Sequence, residues 1–176
     1  MKLIIGLGNP GQEYANTRHN VGFEFVDRLS GSAKFSLESK FESLVYREKD
    51  LILVKPQTFM NESGRAVRKI LDFYKLGTGD LVLIHDDLDL KFGEYKIQRG
   101  VGPKVHNGVT SVETSLPDKN FLRVRIGVDN REKLLYAGSG ADYVLSKFGK
   151  EELEEVDEVI EEAADELLVA LGLERE

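Results

Sequence analysis

Residues 2–11 of the chain read Lys2-Leu3-Ile4-Ile5-Gly6-Leu7-Gly8-Asn9-Pro10-Gly11, an apolar run that ends in a glycine-rich turn. Tyr14, Arg18 and His19 follow closely. The apolar run predicts a buried β-strand, and the polar residues after it would lie at the carboxyl edge of a sheet. Open α/β folds bind their ligands at that edge. This stretch therefore predicts an α/β fold and indicates where its functional site lies.

The rest of the chain supplies the other layers of such a fold. Helices are predicted at 17–29, 61–76, 107–116 and from residue 151 onward, and strands at 41–47, 51–55, 81–84, 95–98 and 121–128. Only Glu48-Lys49-Asp50 separates the strands 41–47 and 51–55, which is too short for a crossover helix, so these two strands are predicted to be antiparallel. We therefore expect one domain over residues 1–176, with a mixed central sheet flanked by helices.

Composition limits the classes of function. The 176 residues include no cysteine, which excludes disulfides, thiolate metal sites and a cysteine nucleophile. No segment approaches the about 20 apolar residues needed to span a bilayer, and no basic leader with an apolar run is recognisable. These features predict a soluble cytoplasmic protein that has no membrane partner.

The formal charge of −7 is distributed unevenly. Residues 150–176 carry 12 acidic and two basic side chains, whereas the other 149 residues carry 19 acidic and 22 basic ones. The bulk of the chain is therefore mildly basic, which is compatible with an anionic partner such as a nucleic acid. In the strand 121–128, Arg123 and Arg125 alternate with apolar residues, and this alternation predicts one basic face of the sheet.

His19, His85 and His106 are the three histidines, and each lies near an amide or carboxylate side chain in the sequence. His19 follows the first strand and Asp86 follows the strand 81–84, so the two could meet at one edge of an open sheet. A carboxylate beside an imidazole fixes its tautomer and raises its basicity, as in a general base. His85 is predicted instead to be buried within its strand with its hydrogen bonds satisfied.

A metal site is a second interpretation of the same region. His85, Asp86, Asp87 and Asp89 could ligate Mg²⁺ or Zn²⁺, since carboxylates are good ligands for hard cations. They could equally cap turns and be solvated. No motif with the usual spacing of metal ligands occurs in the chain, so acid–base chemistry is favoured over a metal site.

Two further motifs give weak functional signals. Gly6-Leu7-Gly8-Asn9-Pro10-Gly11 matches G-x-G-x-x-G, but a dinucleotide site needs a parallel βαβ unit, and a hairpin is predicted next. A turn with glycines at positive φ and a rigid Pro10 explains the match better. Ser63 does not lie in a G-x-S-x-G motif, which leaves water as the candidate nucleophile.

Asn9, Asn61 and Asn107 each follow a predicted strand or begin a predicted helix. Helix capping would explain any one of them, and Asn61 or Ser63 could cap the helix that begins near residue 61. If the three amides converged beside a histidine, they would form an uncharged hydrogen-bonding site for a peptide backbone or a water molecule. Spacing alone leaves both explanations open.

The C-terminal third contains one flexible and one regular segment. Ala137-Gly138-Ser139-Gly140-Ala141 is rich in small residues, and residues 142–148 after it are predicted to form a short mobile helix. Together they indicate a flexible lid near residues 137–149. The helix from Glu151 has an apolar stripe opposite its acidic residues and is most simply structural.

Several motifs follow one another along nearly the whole chain. They are Gly6-Leu7-Gly8-Asn9-Pro10-Gly11 with Tyr14, Thr17-Arg18-His19-Asn20-Val21-Gly22, Lys55-Pro56-Gln57-Thr58-Phe59-Met60-Asn61-Glu62-Ser63-Gly64, His85-Asp86-Asp87-Leu88-Asp89-Leu90, His106-Asn107-Gly108, residues 121–127, and Tyr143-Val144-Leu145. In this order they resemble the bacterial-type peptidyl-tRNA hydrolases. The resemblance implies a monomeric α/β enzyme that hydrolyses the ester between a peptide and the 3′ ribose of tRNA, without a metal, a cofactor or an obligatory protein partner.

The same resemblance implies roles for the residues of the candidate site. His19 would be the general base that activates water, and Asp86 would be the carboxylate that orients His19. The set that holds the peptide and the water, or lines the same cleft, would be Asn9, Tyr14, Met60, Asn61, His106 and Asn107.

Basic residues are implied as contacts of the tRNA phosphates. Arg125 and Arg123 resemble the residues that receive phosphate in this family. Gln98 occupies a place where the family often has lysine, and Arg99 or Lys104 could replace that charge. We therefore expect one phosphate-binding face formed by these four basic residues.

The chain also departs from the family pattern. A run of glycines usually precedes His-Asn-Gly, whereas this chain has Arg99-Gly100-Val101-Gly102-Pro103-Lys104-Val105, which predicts a stiffer loop. Lys91 stands where a proline is usual, and the acidic C-terminal helix is unusual for a family that tends to be basic. A non-catalytic RNA-binding protein, like relatives that assist organellar splicing, is therefore a second hypothesis, and a dinucleotide-binding protein is a third. Retention of His19, Asp86 and the three asparagines favours the enzyme.

Overall fold

Seven strands form one mixed β-sheet in the computed structural model, which describes residues 1–173. The strands are β1 (Lys2–Gly6), β2 (Ser36–Glu38), β3 (Ser43–Glu48), β4 (Leu51–Pro56), β5 (Leu81–Lys91), β6 (Tyr95–Arg99) and β7 (Leu122–Asp129). Their order in the sheet is β2-β3-β4-β1-β5-β7-β6. The pairs β2–β3, β3–β4 and β6–β7 are antiparallel and the other pairs are parallel. The predicted single-domain α/β fold with a mixed sheet is confirmed.

Five α-helices lie among residues 1–173. They are α1 (Val21–Ser30), α2 (Ser63–Tyr74), α3 (Asn107–Ser115), α4 (Gly140–Val144) and α5 (Lys150–Leu171). Leu3 and Ile5 of β1 pack in one hydrophobic cluster with α2 and α3, whereas Ile4 packs in another with α1 and α5. This alternation is expected of a central strand that is buried on both faces.

The first strand and α1 approach each other closely, which explains two glycines. A Cβ atom on Gly6 would lie 2.0 Å from the carbonyl oxygen of Gly22, and a Cβ on Gly22 would lie 2.6 Å from the nitrogen of Leu7. Of the three turn glycines in G-x-G-x-x-G, only Gly11 has a positive φ, 113°. The expectation that these glycines serve positive φ is therefore correct for Gly11 alone, and Gly6 serves close packing.

The central strand β5 is longer than the sequence predicted. It continues to Lys91, so Asp86 and Asp87 lie within the strand and not in a loop after it. The reason is that β7 pairs with β5 beyond the end of β1, with Asp86 opposite Ile126 and Asp87 opposite Gly127. Both carboxylates are buried beside charged or imidazole partners, which offsets the cost of burying them.

The expected basic face of β7 is not exposed. Arg123 and Arg125 alternate with apolar residues as predicted, but only 1% and 6% of their surface is exposed. Arg123 forms an ion pair with Glu113 of α3 at 2.8 Å, and Arg125 forms one with Asp87 of β5 at 2.7 Å. Because these guanidinium groups are buried and neutralised, the prediction of a basic surface at these two positions is wrong.

The segment 137–149 contains α4, which begins two residues earlier than the short helix predicted at 142–148. Tyr143 is buried, and its hydroxyl donates to the carbonyl of Val128 at 2.6 Å. This bond attaches α4 to the end of β7. Mobility of the segment as a lid stays a prediction.

The C-terminal helix is structural, as predicted. α5 buries a stripe that includes Val156, Ile160 and Leu167 against the sheet. Glu174, Arg175 and Glu176, which were counted with its acidic segment, lie outside the described residues. Each helix within residues 1–173 is too short or too polar to cross a membrane.

Candidate active site

A cleft of about 730 Å³ opens where β1 and β4 end beside the middle of β5. β4 and β5 lie on opposite sides of β1, so the cleft is at the point where the strand order reverses, which is the ligand position in open α/β sheets. The predicted site residues that line it are Asn9, His19, Met60, Asn61, Asp86, Lys104, His106 and Asn107.

His19 and Asp86 form a buried hydrogen-bonded pair in this cleft. His19 lies in the 3₁₀ turn Arg18–Asn20 before α1, and its Nδ1 is 2.8 and 3.0 Å from the two carboxylate oxygens of Asp86. When Nδ1–H donates to a carboxylate, the lone pair of a neutral imidazole is on Nε2. His19 can therefore accept a proton at Nε2.

His106 is a second imidazole on the same carboxylate. Its Nε2 is 2.7 Å from Oδ1 of Asp86, and its Nδ1 accepts the backbone N–H groups of Gly108 and Val109 at 3.1 and 3.2 Å. His106 is thus the N-cap of α3, a position where Ser, Thr, Asp and Asn are usual. Because Nδ1 is an acceptor, the proton of neutral His106 is on Nε2 and is donated to Asp86. The α3 cap fixes this tautomer.

Burial and these contacts shift the pKa values of the cluster. Burial lowers the pKa of His19, but the negative charge of Asp86 and the hydrogen bond to it raise the pKa above its ordinary value of 6.5 overall. Burial raises the pKa of Asp86, and the two histidines lower it by more, so the carboxyl group stays ionised.

His85 is fully buried, as predicted, and burial lowers its pKa to about 3. Its Nδ1 donates to the carbonyl of Asp86 at 2.8 Å, but its Nε2 has no hydrogen-bond partner within residues 1–173. The expectation that both ring nitrogens are satisfied is therefore wrong for Nε2. His85 is neutral and does not line the cleft.

The residues considered as metal ligands, His85, Asp86, Asp87 and Asp89, do not come together as one group of ligands in the described residues. Asp87 is ion-paired, and Asp89 accepts a backbone N–H. In the part of the chain that the structure describes, the three potential ligands that lie together are His19, Asp86 and His106. A metal on Nε2 of His106 would require the ring proton on Nδ1, where it would face the two N–H donors of the α3 cap. The cap therefore disfavours a metal at this cluster.

Asn9 connects the ends of two strands. Its Oδ1 accepts the backbone N–H of Met60 at 2.8 Å, and its main chain exchanges two hydrogen bonds of 2.9 Å with the amide of Asn20. These bonds fix the Asn9 amide and leave its Nδ2 without a protein acceptor in residues 1–173. Asn9 is thus an oriented hydrogen-bond donor at the cleft.

The other two asparagines also reach the cleft, and capping does not account for them. The N-cap position of α2 makes no side-chain hydrogen bond, and the N-cap of α3 is His106. Asn61 and Asn107 are exposed and line the cleft. Ser63 does not cap α2, since its hydroxyl donates back to the carbonyl of Met60. The asparagines therefore converge on one site.

Part of the cleft is apolar, which the sequence reasoning missed. We call this part the apolar wall, and it consists of Phe59, Leu88, Val105, Ala141, Val144 and Leu145. Val105 is 83% exposed and Phe59 is 55% exposed, although both are large apolar side chains. Exposed apolar side chains grouped at one cleft mark a binding surface. No periodicity could have found this wall, because it is assembled from four separate segments.

Four predicted residues lie away from the cleft. Within residues 1–173, Tyr14, Arg99, Arg123 and Arg125 are absent from its lining. Arg99 is exposed at the end of β6, and Lys104 is exposed where it lines the cleft. Arg131 also lines the cleft and was not predicted.

Comparisons with known proteins agree with this arrangement. The sequence family described as "Peptidyl-tRNA hydrolase" matches residues 3–175. A peptidyl-tRNA hydrolase of Mycolicibacterium vanbaalenii is 42% identical over 180 residues, which cover 98% of this chain and 92% of that protein. One of Anaeromyxobacter sp. (strain K) is 45% identical over 182 residues, covering 99% and 93%. The crystal structure of peptidyl-tRNA hydrolase from Acinetobacter baumannii matches with a TM-score of 0.86 at 32% identity, covering 98% of this chain and 89% of that one.

Proposed function

Since the chain belongs to the peptidyl-tRNA hydrolase family and is therefore an ester hydrolase, we propose that it hydrolyses the ester between a peptide and the 3′ end of tRNA with a water molecule that His19 activates. The observation that carries this proposal is the hydrogen bond of Nδ1 of His19 to Asp86 in the cleft. It leaves Nε2 as the free base.

In the proposed reaction, His19 takes one proton from water and later gives one proton to the leaving 3′ oxygen. Nε2 of His19 takes a proton from water while the water oxygen attacks the carbonyl carbon of the ester. Asp86 stays ionised and stabilises the imidazolium that forms. When the bond from the carbonyl carbon to the 3′ oxygen breaks, the imidazolium gives its proton to that oxygen. The products are a peptide with a free carboxyl group and a tRNA with a free 3′ hydroxyl.

The asparagines position the substrate in this proposal. Nδ2 of Asn9 donates to the ester carbonyl oxygen, where negative charge develops during the attack. The fixed orientation of Asn9 supports this role, because its Oδ1 is already used by Met60 N–H. Asn61 and Asn107 hold the peptide backbone, and their exposure at the cleft makes them available for it.

The two ends of the substrate need different surfaces. The apolar wall is suited to side chains of the peptide. The tRNA phosphates are contacted by the exposed cations Lys104 and Arg99. Arg123 and Arg125 act indirectly. Arg123 donates to the carbonyl of Gly102. Arg125 packs against the same glycine, so closely that a Cβ atom on Gly102 would lie 2.5 Å from the guanidinium carbon of Arg125. Both arginines thereby hold the loop that carries Lys104.

Every group in this proposal comes from one chain, and the reaction uses neither a metal nor a cofactor. A monomer in the cytoplasm, where peptidyl-tRNA occurs, is therefore sufficient. The proposed partner is the substrate itself, a nucleic acid that carries a peptide.

The decisive experiment compares two forms of one tRNA, one carrying a peptide or an N-acetylated amino acid and the other carrying the same amino acid with a free amino group. Single-turnover assays should show release from the first form and much slower release from the second, because only the first offers a peptide carbonyl and N–H to the asparagines. If the protein binds both tRNAs and releases nothing, the hypothesis of a non-catalytic RNA-binding protein replaces this one.

A further inference from the structure

Arg18 is a buried cation that the proposed reaction does not use. It precedes His19 in the 3₁₀ turn Arg18–Asn20 and is 3% exposed. Its NH1 donates to Oγ of Ser146 at 2.7 Å and to the carbonyl of Lys147 at 2.8 Å. Its NH2 donates to both carboxylate oxygens of Glu152 at 2.8 and 3.1 Å. One side chain thus joins the His19 turn to three residues near the start of α5.

Other contacts strengthen the same junction. The Arg18 guanidinium lies 4.3 Å from the ring centre of Tyr143 in α4. The backbone N–H of Arg18 donates to the carbonyl of Ser146 at 3.1 Å. Glu152 also accepts the N–H of Gly149 at 2.9 Å and the side-chain amide of Asn130 at 3.2 Å. The segment between β7 and α5 is therefore attached to the His19 turn through the side chains of Arg18 and Glu152. Main-chain contacts next to the turn add to them, since the N–H of Phe148 donates to the carbonyl of Asn16 at 3.0 Å and Thr17 forms a β-bridge with Lys147.

This segment forms one side of the cleft. Ala141, Val144 and Leu145 belong to the apolar wall, and Val144 and Leu145 lie directly between two contacts of Arg18, Tyr143 and Ser146. The Arg18 bonds therefore help to set the position of Val144 and Leu145, one of the four segments of the wall, relative to His19.

Stability alone is a poor explanation for this arrangement. Burying a guanidinium and a carboxylate has a desolvation cost that their attraction roughly balances, and well-packed apolar residues of similar size are often at least as stabilising. Nε of Arg18 also lacks a hydrogen-bond partner within residues 1–173, which adds to the cost. What the four directional hydrogen bonds of the Arg18 guanidinium supply, and an apolar contact does not, is a fixed geometry.

We infer that Arg18 is a positioning residue, which holds Val144 and Leu145 of the apolar wall at a fixed distance from His19 so that the ester carbonyl and the water meet Nε2. The inference rests on the proposed function. It also places the moving part of any lid before Tyr143, because residues 143–149 are attached to the His19 turn by Arg18, to Asn16 by the main chain of Phe148, and to the end of β7 by the Tyr143 hydroxyl. A displacement of about 1 Å at a reacting centre can cost about 100-fold in rate.

The test measures kcat, KM, the pH profile and the thermal midpoint of Arg18→Lys, Ser146→Ala and Glu152→Gln with N-acetyl-aminoacyl-tRNA. Arg28→Lys is the matched control, because Arg28 joins α1 to Asp157 and Glu161 of α5 at the surface. Arg18→Lys should lower kcat about 10- to 100-fold at a temperature where it is fully folded, and it should shift the acid limb of kcat/KM to lower pH as the contact of His19 with Asp86 loosens. Ser146→Ala and Glu152→Gln should lower kcat by less, and Arg28→Lys should leave it unchanged.

The inference is overturned if folded Arg18→Lys keeps the wild-type kcat and acid limb. If Arg18→Lys does not fold, Ser146→Ala decides, since it leaves no buried charge unpaired, and an unchanged kcat in that variant rejects the inference. Wild-type turnover is measured first. A wild-type protein that releases no peptide refutes the proposed function, and this inference with it, whereas an active wild type with an equally active Arg18→Lys refutes the inference alone.

Discussion

Asp86 and Asp87 are neighbours on β5, and each is 1% exposed, yet they belong to two different regions of the molecule. Asp86 accepts hydrogen bonds from two imidazoles beside the cleft. Asp87 points to the opposite face, as successive strand residues do, and is paired there with Arg125 at 2.7 Å. The first region opens to a ligand, and the second is closed.

The comparison shows that the partner, and not the burial, determines what a buried carboxylate can do. An imidazole titrates near neutral pH, and His19 has a second nitrogen free to exchange a proton. A guanidinium stays charged at every physiological pH and cannot act as a base. We therefore expect changes at the Asp86 region to affect the rate, and changes at the Asp87 region to affect stability.

The largest effect on the rate is expected for His19→Ala. General-base catalysis contributes about 10²- to 10⁴-fold, and the other imidazole on the carboxylate has its free nitrogen occupied by the α3 cap. The rate of peptide release should fall by this factor while the thermal midpoint stays within a few degrees. A wild-type rate in the purified variant would reject His19 as the base.

Asp86→Asn should have the next largest effect, about 10- to 100-fold on kcat, because the imidazolium loses the charge that stabilises it. Asp86 raises the pKa of His19 above 6.5. In the wild type, His19 is therefore protonated, and unable to act as a base, below that raised pKa. Without the carboxylate that pKa falls, and the acid limb of kcat/KM should move to lower pH. An acid limb that stays in place would show that His19 and Asp86 do not act as a pair.

Asp87→Asn should have the opposite effect, a large loss of stability with a small change in kcat. It leaves the Arg125 guanidinium buried without its counter-charge, which costs about 3 kcal/mol of unfolding free energy, measured by urea denaturation. The kcat of the folded protein should change less than tenfold. Asp72→Asn is the control, since it breaks an exposed pair with Arg68 and should cost below about 0.5 kcal/mol. Equal losses in the two variants would mean that the buried pair has no special structural role.

The sequence predicted the Asp86 region well for a physical reason. The apolar runs before Gly8 and before His85 lie in parallel strands that pair as far as Gly6 opposite Ile84, so the residues after each run lie close together although β5 continues. His19 and Asp86 could therefore be placed together without knowledge of the side-chain contacts. The three asparagines were selected because each follows a predicted strand or begins a predicted helix, and their roles came from the family resemblance. Their spacing left convergence and capping open, and the observed cap of α3 is His106.

The Asp87 region could not be predicted in this way. Whether Asp87 continues a strand depends on its pairing with Gly127 of β7, and whether its carboxylate can be buried depends on Arg125, which is 38 residues away in the sequence. The alternation of residues correctly predicted that Arg123 and Arg125 lie on one face of the sheet. It does not predict whether another element covers that face. In the structure α3 covers it, and Glu113 of α3 pairs with Arg123. Contacts between distant segments decide burial, and they decide it for the apolar wall as well.

The smallest expected effect is on the affinity for tRNA. It provides a further test of the difference between the Asp86 region and the Asp87 region. Lys104 is exposed at the cleft, so Lys104→Ala should reduce the slope of log affinity against log salt by about 0.7 to 0.9, the value for one phosphate contact, and leave kcat at saturating tRNA nearly unchanged. Lys49→Ala, in the exposed turn between β3 and β4, is the control and should leave the slope as it is.

Arg125→Ala should lower the unfolding free energy instead, because it leaves the buried Asp87 carboxylate without its counter-charge. If Arg125→Ala folds normally and flattens the salt slope while Lys104→Ala does not, the phosphate contact belongs to the closed region, and the distinction between the two carboxylates fails.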